Sequence, residues 1–261
     1  MARNWHGRNE IDSHSLNKVI MFKILGIVLS IMVGISIAAS GPRDIGAEML
    51  QSHAKAIFMI TPPSRDNTGC TAFNVRVPSG AKFMVTNEHC SALAENGLVR
   101  AHYTDGRTAL VRLIEVSAKT DLSLFQAVPD APALEIANWH NLYARLNVVG
   151  HPRLAKNTYS EGRVVGRDFV DIVEQSIPLD KCVGPRLMVR NITIFFGIKI
   201  PMCVKSTEAI QTSVVIYGGN SGSPVMDDDG QVVGVMFAGD TTTNYGSMVP
   251  LDALNDFIKL Y

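Results

Sequence analysis

Short runs of apolar, β-branched and aromatic residues, separated by turn-forming residues, dominate the chain from residue 56 onward. Runs of this kind between Gly, Pro, Asn and Asp residues are typical of β-strands joined by turns. In the first half of the chain they predict strands at 56–61, 70–77, 82–86, 98–103, 108–116 and 122–128. In the second half they predict strands at 146–150, 159–165, 209–213, 223–226, 231–238 and 246–249.

Helical spacing of apolar residues occurs at both ends of this strand-rich region. Residues 45–55 show it before the first strand, and the C-terminal residues show it at Leu251, Leu254, Phe257 and Ile258. Apolar residues three and four positions apart line one face of a helix. We therefore expect a C-terminal helix that packs this face inward.

The Pro- and Ala-containing segment 129–141 separates the two groups of strands. Two clusters of strands joined by a linker indicate two β-barrels or sheets. We therefore expect one all-β domain over 41–261. Its first barrel would lie at about 56–128, its linker at about 129–145, and its second barrel with the helix at about 146–261.

The N-terminal region has a different character. Residues 24–39 form an uncharged apolar run, preceded by Lys23 and followed by small residues as far as Ser40. This layout predicts a signal peptide that is cleaved near Ser40. A retained membrane anchor stays open as the alternative, as does a translation start at Met21. In each case we expect the chain after residue 40 to be exported, either secreted or periplasmic, or anchored outside the cytoplasm.

Composition and charge narrow the function classes. Lys and Arg total 24 and Asp and Glu total 24, so the formal net charge is +0. Without a basic field the chain is not suited to holding nucleic acid as its main partner. With 46% hydrophobic and 18% charged residues, the composition is that of a folded protein.

The four cysteines indicate disulfides rather than a metal site. An exported chain folds where disulfides form, and an even number allows complete pairing. The sequence contains no C-x-x-C pair of the kind that begins most zinc sites. Of the three connectivities, the local pairs Cys70–Cys90 and Cys182–Cys203 close the shortest loops, and we expect these two.

Ser221 lies in the most informative segment of the chain, Tyr-Gly-Gly-Asn-Ser-Gly-Ser-Pro at 217–224. Its hydroxyl is flanked by glycines, whose backbone can approach a ligand closely. Taken alone, the segment also fits a glycine turn in a β-hairpin. A serine nucleophile needs a general base and a third group that orients the base, so other residues decide between the two interpretations.

His89 is the candidate base, because it ends a predicted strand and is followed by a cysteine that can tether it. His102 and His151 lack such a setting. Asp121 is the candidate orienting acid, since it opens an apolar strand where a buried carboxylate needs a hydrogen-bonding partner. Asp105 is its competitor, but it lies in a TDGR turn, where Asp has an ordinary turn role.

The motifs TNEHC around His89, TDLSLF around Asp121 and GGNSGSPV around Ser221, in this order, resemble those of chymotrypsin-like serine peptidases. The resemblance covers the chain from about residue 56 to 257. Longer stretches such as AIQTSVVIYGGNSGSPV look closest to the trypsin-like domain of HtrA-type peptidases. The resemblance implies two perpendicular antiparallel β-barrels with a C-terminal helix, and an active site in the cleft between them.

The resemblance also implies the chemistry. Ser221 would attack the scissile carbonyl of a polypeptide substrate, His89 would transfer the proton, and Asp121 would hold the imidazole. The N–H groups of Gly219 and Ser221 would form the oxyanion hole. The mechanism needs no cofactor and no metal. A non-catalytic peptide-binding module and an esterase-type acyl hydrolase stay open as alternatives on the same fold.

Substrate binding is likewise implied by matching to the family. Phe237, Ala238 and Gly239 would pair with an extended substrate backbone. The primary specificity pocket would be lined by Val215, with Phe237 and Gly246 on its walls. Since Val215 carries no charge, we expect cleavage after small or medium apolar residues.

The sequence departs from the pattern of the family that it resembles at several points. A cysteine pair beside His89 is typical of digestive trypsin-like enzymes, whereas HtrA-type enzymes commonly lack it. Asn220 stands where zymogens carry an Asp that binds a new N-terminus, so we expect activity without such processing. Because the sequence as given ends at Tyr261, we expect no peptide-binding C-terminal domain.

One segment, between Gly166 and Glu208, has no clear match in the family. Its apolar run at 192–202 alternates with period two, which favours a disulfide-closed hairpin that completes the second barrel. A regulatory or membrane-contacting loop is the alternative. The segment also contains a glycosylation sequon that begins at Asn191.

Overall fold

A computed structural model of the chain describes residues 44–261 except for 118, 139–140, 142–143, 174–176, 185, 194–197 and 241–244. The chain divides into two units, Met1–Asp44 and Ile45–Tyr261, and all the elements described belong to the second. The predicted signal peptide or anchor at 24–39 lies outside the described residues. No helix in the described part of the chain is both long and apolar enough to cross a membrane.

The first half of this unit is a closed barrel of antiparallel strands that follows helix α1, Ile45–His53. Its strands are β1 Ile57–Thr61, β2 Cys70–Arg76, β3 Lys82–Thr86, β4 Leu98–His102, β5 Thr108–Val116 and β6 Ser123–Gln126. They are hydrogen-bonded in the order β1-β2-β3-β6-β5-β4, and β4 returns to β1. In β4 buried residues alternate with less buried ones, as expected where one face of a strand points into a core.

The second half is a seven-stranded antiparallel sheet with the order β13-β12-β11-β7-β8-β10-β9. Its strands are β7 Arg145–Gly150, β8 Thr158–Val173, β9 Leu187–Thr193, β10 Lys199–Thr212, β11 Pro224–Met226, β12 Val232–Asp240 and β13 Tyr245–Pro250. An additional pairing of β10 with β13 closes six of these strands into a ring, with β9 outside it. The C-terminal helix α2, Leu251–Ile258, buries Leu251, Leu254 and Ile258.

The all-β fold with a C-terminal helix is confirmed, and the strands expected from the pattern are present. The main difference lies in the segment between Gly166 and Glu208, where β8 and β10 run further than predicted and β9 is an added strand. Most residues of β9 are exposed, so this strand has no buried face that would create a period-two hydrophobic pattern. β9 and β10 form the expected antiparallel hairpin, but only β10 takes part in closing the ring.

The two sheets share one hydrophobic core. Its fully buried members include Phe73 and Leu124 from the first barrel, and Val149, Val235 and Val249 from the second sheet. The linker adds single β-bridges to strands of both halves, through Leu134 and Ile136. Because apolar surface from both sheets is buried in the same cluster, the two sheets and the loops that they carry are held in a fixed position relative to each other.

Both expected disulfides are present. Cys70–Cys90 joins the start of β2 to a short 3₁₀ helix, His89–Leu93, and its Cα atoms lie 6.1 Å apart. Cys182–Cys203 joins the loop before β9 to β10, with its Cα atoms 5.6 Å apart. The first disulfide therefore fixes the segment that begins with His89.

Candidate active site

His89 and Asp121 meet because β3 and β6 are neighbours. In this antiparallel pair Thr86, the last residue of β3, lies opposite Ser123, the first residue of β6. The chain that leaves β3 and the chain that enters β6 therefore lie at the same edge of the barrel. His89 follows β3 by three residues and Asp121 precedes β6 by two, so topology alone makes them close neighbours.

Asp121 is buried, with 1% of its surface exposed, and it accepts two hydrogen bonds from His89. The backbone N–H donates to Oδ1 at 3.0 Å, and Nδ1 lies 2.8 Å from Oδ2. An ionised carboxylate can only accept, so Nδ1 carries the proton and the lone pair of the neutral ring lies on Nε2. This arrangement satisfies the buried carboxylate and orients the imidazole as a base.

Two neighbours hold this pair in place. The Nδ2 amide of Asn87 donates to the Asp121 carbonyl at 3.0 Å. The Ser123 hydroxyl donates to the Asn87 carbonyl at 2.8 Å. Asn87 and Ser123 are both fully buried, so these bonds lie in the interior between β3 and β6. Asn87 therefore joins the segment that carries His89 to the segment that carries Asp121.

Ser221 lies in the loop between β10 and β11, and Thr71 binds this loop to the first barrel. The backbone N–H of Thr71 donates to the Ser221 carbonyl at 2.8 Å. Its hydroxyl donates to the Gly219 carbonyl at 2.8 Å and accepts from the backbone N–H of His151 at 3.0 Å. Thr71 is completely buried and follows Cys70 directly. The sequence analysis did not identify Thr71, since an isolated threonine in a strand carries no local signal of such a role.

The backbone of this loop requires glycine at position 219. Gly219 has a φ of +96°, and a Cβ there would lie 2.4 Å from the His151 carbonyl oxygen. The preceding carbonyl, of Gly218, accepts from the Arg153 N–H at 2.6 Å. Because a trans peptide is planar, the N–H of Gly219 points away from Arg153. Within the described part of the chain, the N–H groups of Gly219 and Ser221 donate to no protein acceptor.

His89 and Ser221 both lie beside the Cys70–Cys90 disulfide. Ring nitrogen and sulfur atoms of Cys70, His89 and Cys90 lie within 4.8 Å of one another, and Cys90 Sγ lies 3.9 Å from the Ser221 carbonyl oxygen. Since both sulfurs are in a disulfide, this cluster offers no thiolate to a metal ion. The Ser221 hydroxyl itself donates to the carbonyl of Phe237 at 3.3 Å.

Residues 70–235 match the family model described as the trypsin-like peptidase domain. The match covers more than half of the chain and includes all three candidate residues. The chain belongs to the trypsin-like peptidase family. The resemblance to chymotrypsin-like serine peptidases is thereby confirmed, and the chain is a hydrolase of the serine protease type.

Solved structures of similar fold include Rv3671c from M. tuberculosis H37Rv, as an inactive serine-to-alanine mutant. This trypsin-like domain matches it with 17% identity and a TM-score of 0.57, covering 83% of this chain and 92% of that chain. The active form matches with 18% identity, a TM-score of 0.56 and coverages of 83% and 86%. The HtrA-type protease AlgW with a tripeptide matches with 17% identity and a TM-score of 0.57, covering 84% of this chain and 64% of that chain. At these identities the similarity concerns the fold.

The alternative candidates for the acid and the base, Asp105, His102 and His151, make contacts elsewhere in the trypsin-like domain. Asp105 is exposed and binds Arg107 at 2.8 Å in the turn between β4 and β5. His102 Nε2 lies 2.9 Å from the Thr61 hydroxyl, and burial lowers the pKa of His102. His151 is 4% exposed, and its burial lowers its pKa to about 4. These side chains have structural contacts, in agreement with the preference for His89 and Asp121.

The residues expected to line the specificity pocket of this peptidase domain differ in exposure. Phe237 is 3% exposed, whereas Val215 is 41% exposed. Ile216 is largely buried, and its side chain packs on Gly239, where a Cβ would lie 2.6 Å from Ile216 Cγ1. Successive side chains in an extended segment point to opposite sides, which explains why Val215 and Ile216 differ. Ile216 was missed because it adjoins Val215 in one apolar run.

Two small residues, Ala238 on β12 and Gly246 on β13, are the remaining positions expected to contact substrate. Ala238 is half-buried beside Phe237. Gly246 is buried, and a Cβ there would lie 2.5 Å from Met236 Cε and 2.7 Å from the Val214 carbonyl oxygen. The backbone at 246 is thus closely surrounded, and a larger residue would have to displace Met236 or the chain at Val214.

Proposed function

We propose that the chain is an exported serine endopeptidase that cleaves polypeptides through an acyl-enzyme, with Ser221, His89 and Asp121 as its catalytic residues. The observation that carries the proposal is the buried Asp121 carboxylate, which accepts both the backbone N–H and the Nδ1 proton of His89. A carboxylate in this position fixes the tautomer that a general base requires.

The reaction begins with Ser221. Its hydroxyl leaves the Phe237 carbonyl and donates to His89 Nε2, which takes the proton as Oγ attacks the substrate carbonyl. The C–N bond breaks as the imidazolium gives this proton to the leaving amine, and an acyl-serine ester remains. Water then attacks the ester with His89 again acting as base, the acyl C–Oγ bond breaks, and the imidazolium returns the proton to Ser221 Oγ as the carboxylic acid product leaves. Asp121 stabilises the imidazolium in both steps.

Gly219 and Ser221 would supply the oxyanion hole. Their N–H groups have no acceptor among the described residues, and the Gly218 carbonyl is held on the far side by Arg153. Donors that are fixed before the reaction do not have to reorganise when negative charge develops on the substrate oxygen. Each is worth on the order of 3 kcal/mol in the transition state.

The substrate backbone would pair with Phe237, Ala238 and Gly239 on β12. The side chain before the scissile bond would enter a pocket bounded by Val215, by Ile216 beside Gly239, and by the walls at Phe237 and Gly246. These residues carry no charge, so they cannot pair with an Arg or Lys side chain. Small or medium apolar residues are the expected preference.

An extracytoplasmic location fits two features of the chain. The apolar run at 24–39 has the layout of a signal peptide, and both pairs of cysteines are oxidised. Disulfides persist in secreted and periplasmic proteins and are rare in the cytosol. Contact with a membrane would involve only the N-terminal run, if it is retained.

A fluorophosphonate probe tests the proposal. The chain from Gly41 onward should be labelled, and peptide mapping should place the label on Ser221. Ser221→Ala should abolish labelling, whereas Ser223→Ala, which removes a buried hydroxyl two residues away, should retain it. A folded protein that neither reacts with the probe nor cleaves peptides would instead be the non-catalytic peptide-binding module. Turnover of esters without turnover of peptides would identify an acyl hydrolase of the esterase type.

A further inference from the structure

Lys205 on β10 is an unusual side chain, because it is charged and only 5% exposed. Its ammonium forms an ion pair with the Glu88 carboxylate. It also donates to the Ser117 carbonyl at 3.4 Å and to the Thr120 carbonyl at 3.3 Å. An ammonium has three N–H donors, and a buried one is tolerated only where it is well paired. Lys205 therefore meets a set of acceptors that matches its hydrogen-bonding capacity.

The positions of these acceptors are informative. Glu88 directly precedes His89, and Thr120 directly precedes Asp121. One ammonium thus contacts the residue before each member of the His89–Asp121 pair. Lys205 belongs to the second sheet, whereas its acceptors belong to the loops of the first barrel.

The loop before Asp121 is shaped so that its carbonyls can be reached. The Ser117 hydroxyl oxygen accepts from the N–H groups of Lys119 at 3.3 Å and Thr120 at 3.1 Å. The Ser117 N–H donates to the Leu122 carbonyl at 2.9 Å, which closes the loop around Asp121. Because Thr120 is bonded to Ser117 and directly precedes Asp121, a contact at Thr120 also restrains Asp121.

Lys205 is itself firmly placed by the hairpin around the second disulfide. Cys203 lies two residues earlier on β10, on the same face of the strand, and is buried and bonded to Cys182. Arg186, inside the loop that this disulfide closes, donates from Nη1 to the Lys119 carbonyl at 3.2 Å. The segment that has no clear family match therefore touches the Asp121 loop at two points.

We propose that Lys205 is a positioning residue for peptide hydrolysis: through Glu88 and the Thr120 carbonyl it holds His89 and Asp121 in their productive arrangement. The inference rests on the proposed function of that pair. Catalytic groups act from a narrow range of positions, and a displacement of about 1 Å can cost about 100-fold in rate. The hairpin that carries Lys205 thereby becomes part of the catalytic framework.

The test compares Lys205→Met, Lys205→Arg and Glu88→Gln in the full chain, with Arg167→Met as the matched control. Arg167 lies on the adjacent strand β8 and forms an exposed ion pair with Glu208 at 2.9 Å. Lys205→Met should lower kcat for a peptide substrate by about 10- to 100-fold with little change in KM, because binding groups are untouched. Glu88→Gln should lower kcat less, Lys205→Arg should restore most of it, and Arg167→Met should leave it within about 2-fold.

A second readout follows the pair directly. The Nδ1 proton of His89 gives a downfield NMR resonance while Asp121 holds it. Lys205→Met should shift or broaden this resonance in the protein without substrate. A merely structural role for Lys205 would lower the melting temperature without moving this resonance or kcat at a temperature where the variant is folded. That result would overturn the proposal, as would an equal loss of kcat in Arg167→Met.

These variants distinguish a failure to fold from a failure of the proposed function. If Lys205→Met does not fold, Glu88→Gln tests the positioning role instead. The Glu88 side chain is 23% exposed, so the amide of the Gln variant can be solvated and the variant should fold. An unchanged kcat and an unchanged His89 resonance in Glu88→Gln would then reject the positioning role. Should the wild-type chain neither cleave peptides nor label with the probe, the proposed function fails. In that case a resonance unchanged by Lys205→Met would also reject the positioning role.

Discussion

Asp121 accepts two hydrogen bonds from His89, from its backbone N–H at 3.0 Å and from Nδ1 at 2.8 Å. The first bond fixes the main chain that carries the imidazole, and the second fixes the rotation of the ring. A second His–Asp contact in the chain is much looser. His102 Nε2 lies 3.7 Å from Asp66, whose side chain is 56% exposed. The pair with a buried carboxylate and two hydrogen bonds between its members is the one suited to catalysis.

Asp121→Asn should lower kcat by about 10⁴-fold, because the carboxamide can keep the bond to the backbone N–H only by turning its NH₂ group towards Nδ1. Nδ1 must then accept, and the ring proton moves to Nε2, where a base is needed. Steady-state kinetics on a peptide substrate measures the loss. Asp66→Asn, the change at the looser pair, should leave kcat within about 2-fold. Equal effects of the two substitutions would contradict the assignment of Asp121.

The sequence indicated His89, Asp121 and Ser221 as candidates because each lies in a distinctive motif close to a predicted strand. Their side chains are local features of short segments, so a pattern along the chain can identify them. Thr71 and Lys205 could not be found in this way. Thr71 contacts Gly219 across 148 positions, and Lys205 contacts Glu88 across 117 positions. Such contacts are created by the packing of one sheet against the other, which no local pattern encodes.

The strands illustrate the same limit. β4 was predicted closely because its buried and partly buried residues alternate. β9 was expected only as part of a disulfide-closed hairpin, without bounds of its own, since it attaches to the edge of β10 and most of its residues are exposed. A hydrophobic pattern reports burial rather than backbone pairing, so a strand held by hydrogen bonds alone leaves little trace in the sequence.

Gly219→Ala should damage both stability and catalysis. The φ of +96° is unfavourable for a residue with a Cβ, and that Cβ would lie 2.4 Å from the His151 carbonyl oxygen. We expect a loss of at least about 1–2 kcal/mol in the free energy of unfolding. Displacing one oxyanion donor should lower kcat by about 10²- to 10³-fold.

Gly218→Ala is the control for this prediction, because no atom lies within 4 Å of its added Cβ and its φ is not in the left-handed region. Denaturation curves and steady-state kinetics of the two variants provide the comparison. The constraint is specific to residue 219 if Gly218→Ala retains near-normal stability and kcat. A Gly219→Ala protein with normal kcat would show that its N–H group is not needed as a donor.

Ile216→Ala should widen the specificity pocket. The Ile216 side chain packs on the Gly239 backbone, beside the strand proposed to bind substrate, and its removal leaves space there. We expect kcat/KM to rise for larger apolar residues relative to small ones by about 10-fold or more. Profiling with a peptide library measures the shift. Val215→Ala is the informative comparison: a larger change of preference in this variant would assign the pocket to Val215 rather than Ile216.

Mild acid should weaken the fold through His151. Burial lowers the pKa of His151 to about 4 in the folded chain, compared with 6.5 for an unperturbed histidine. Between these values the unfolded chain binds more protons than the folded chain. The free energy of unfolding should therefore fall as the pH drops from 6.5 towards 4, by up to about 3 kcal/mol. The Ala155 carbonyl opposes the lowering, whereas His102 and Lys156 add to it.

Chemical denaturation at a series of pH values measures this dependence, with His151→Asn as the comparison. The asparagine does not titrate, so the variant should lose less stability than the wild type between pH 6.5 and 4, even if it is less stable at pH 8. Because all other groups titrate in both proteins, the difference between the two curves isolates His151. The backbone N–H of His151 donates to the Thr71 hydroxyl, which in turn donates to the Gly219 carbonyl. Protonation of the His151 ring should therefore also disturb the loop that carries Ser221. Parallel curves for the two proteins would show that His151 is not the group responsible.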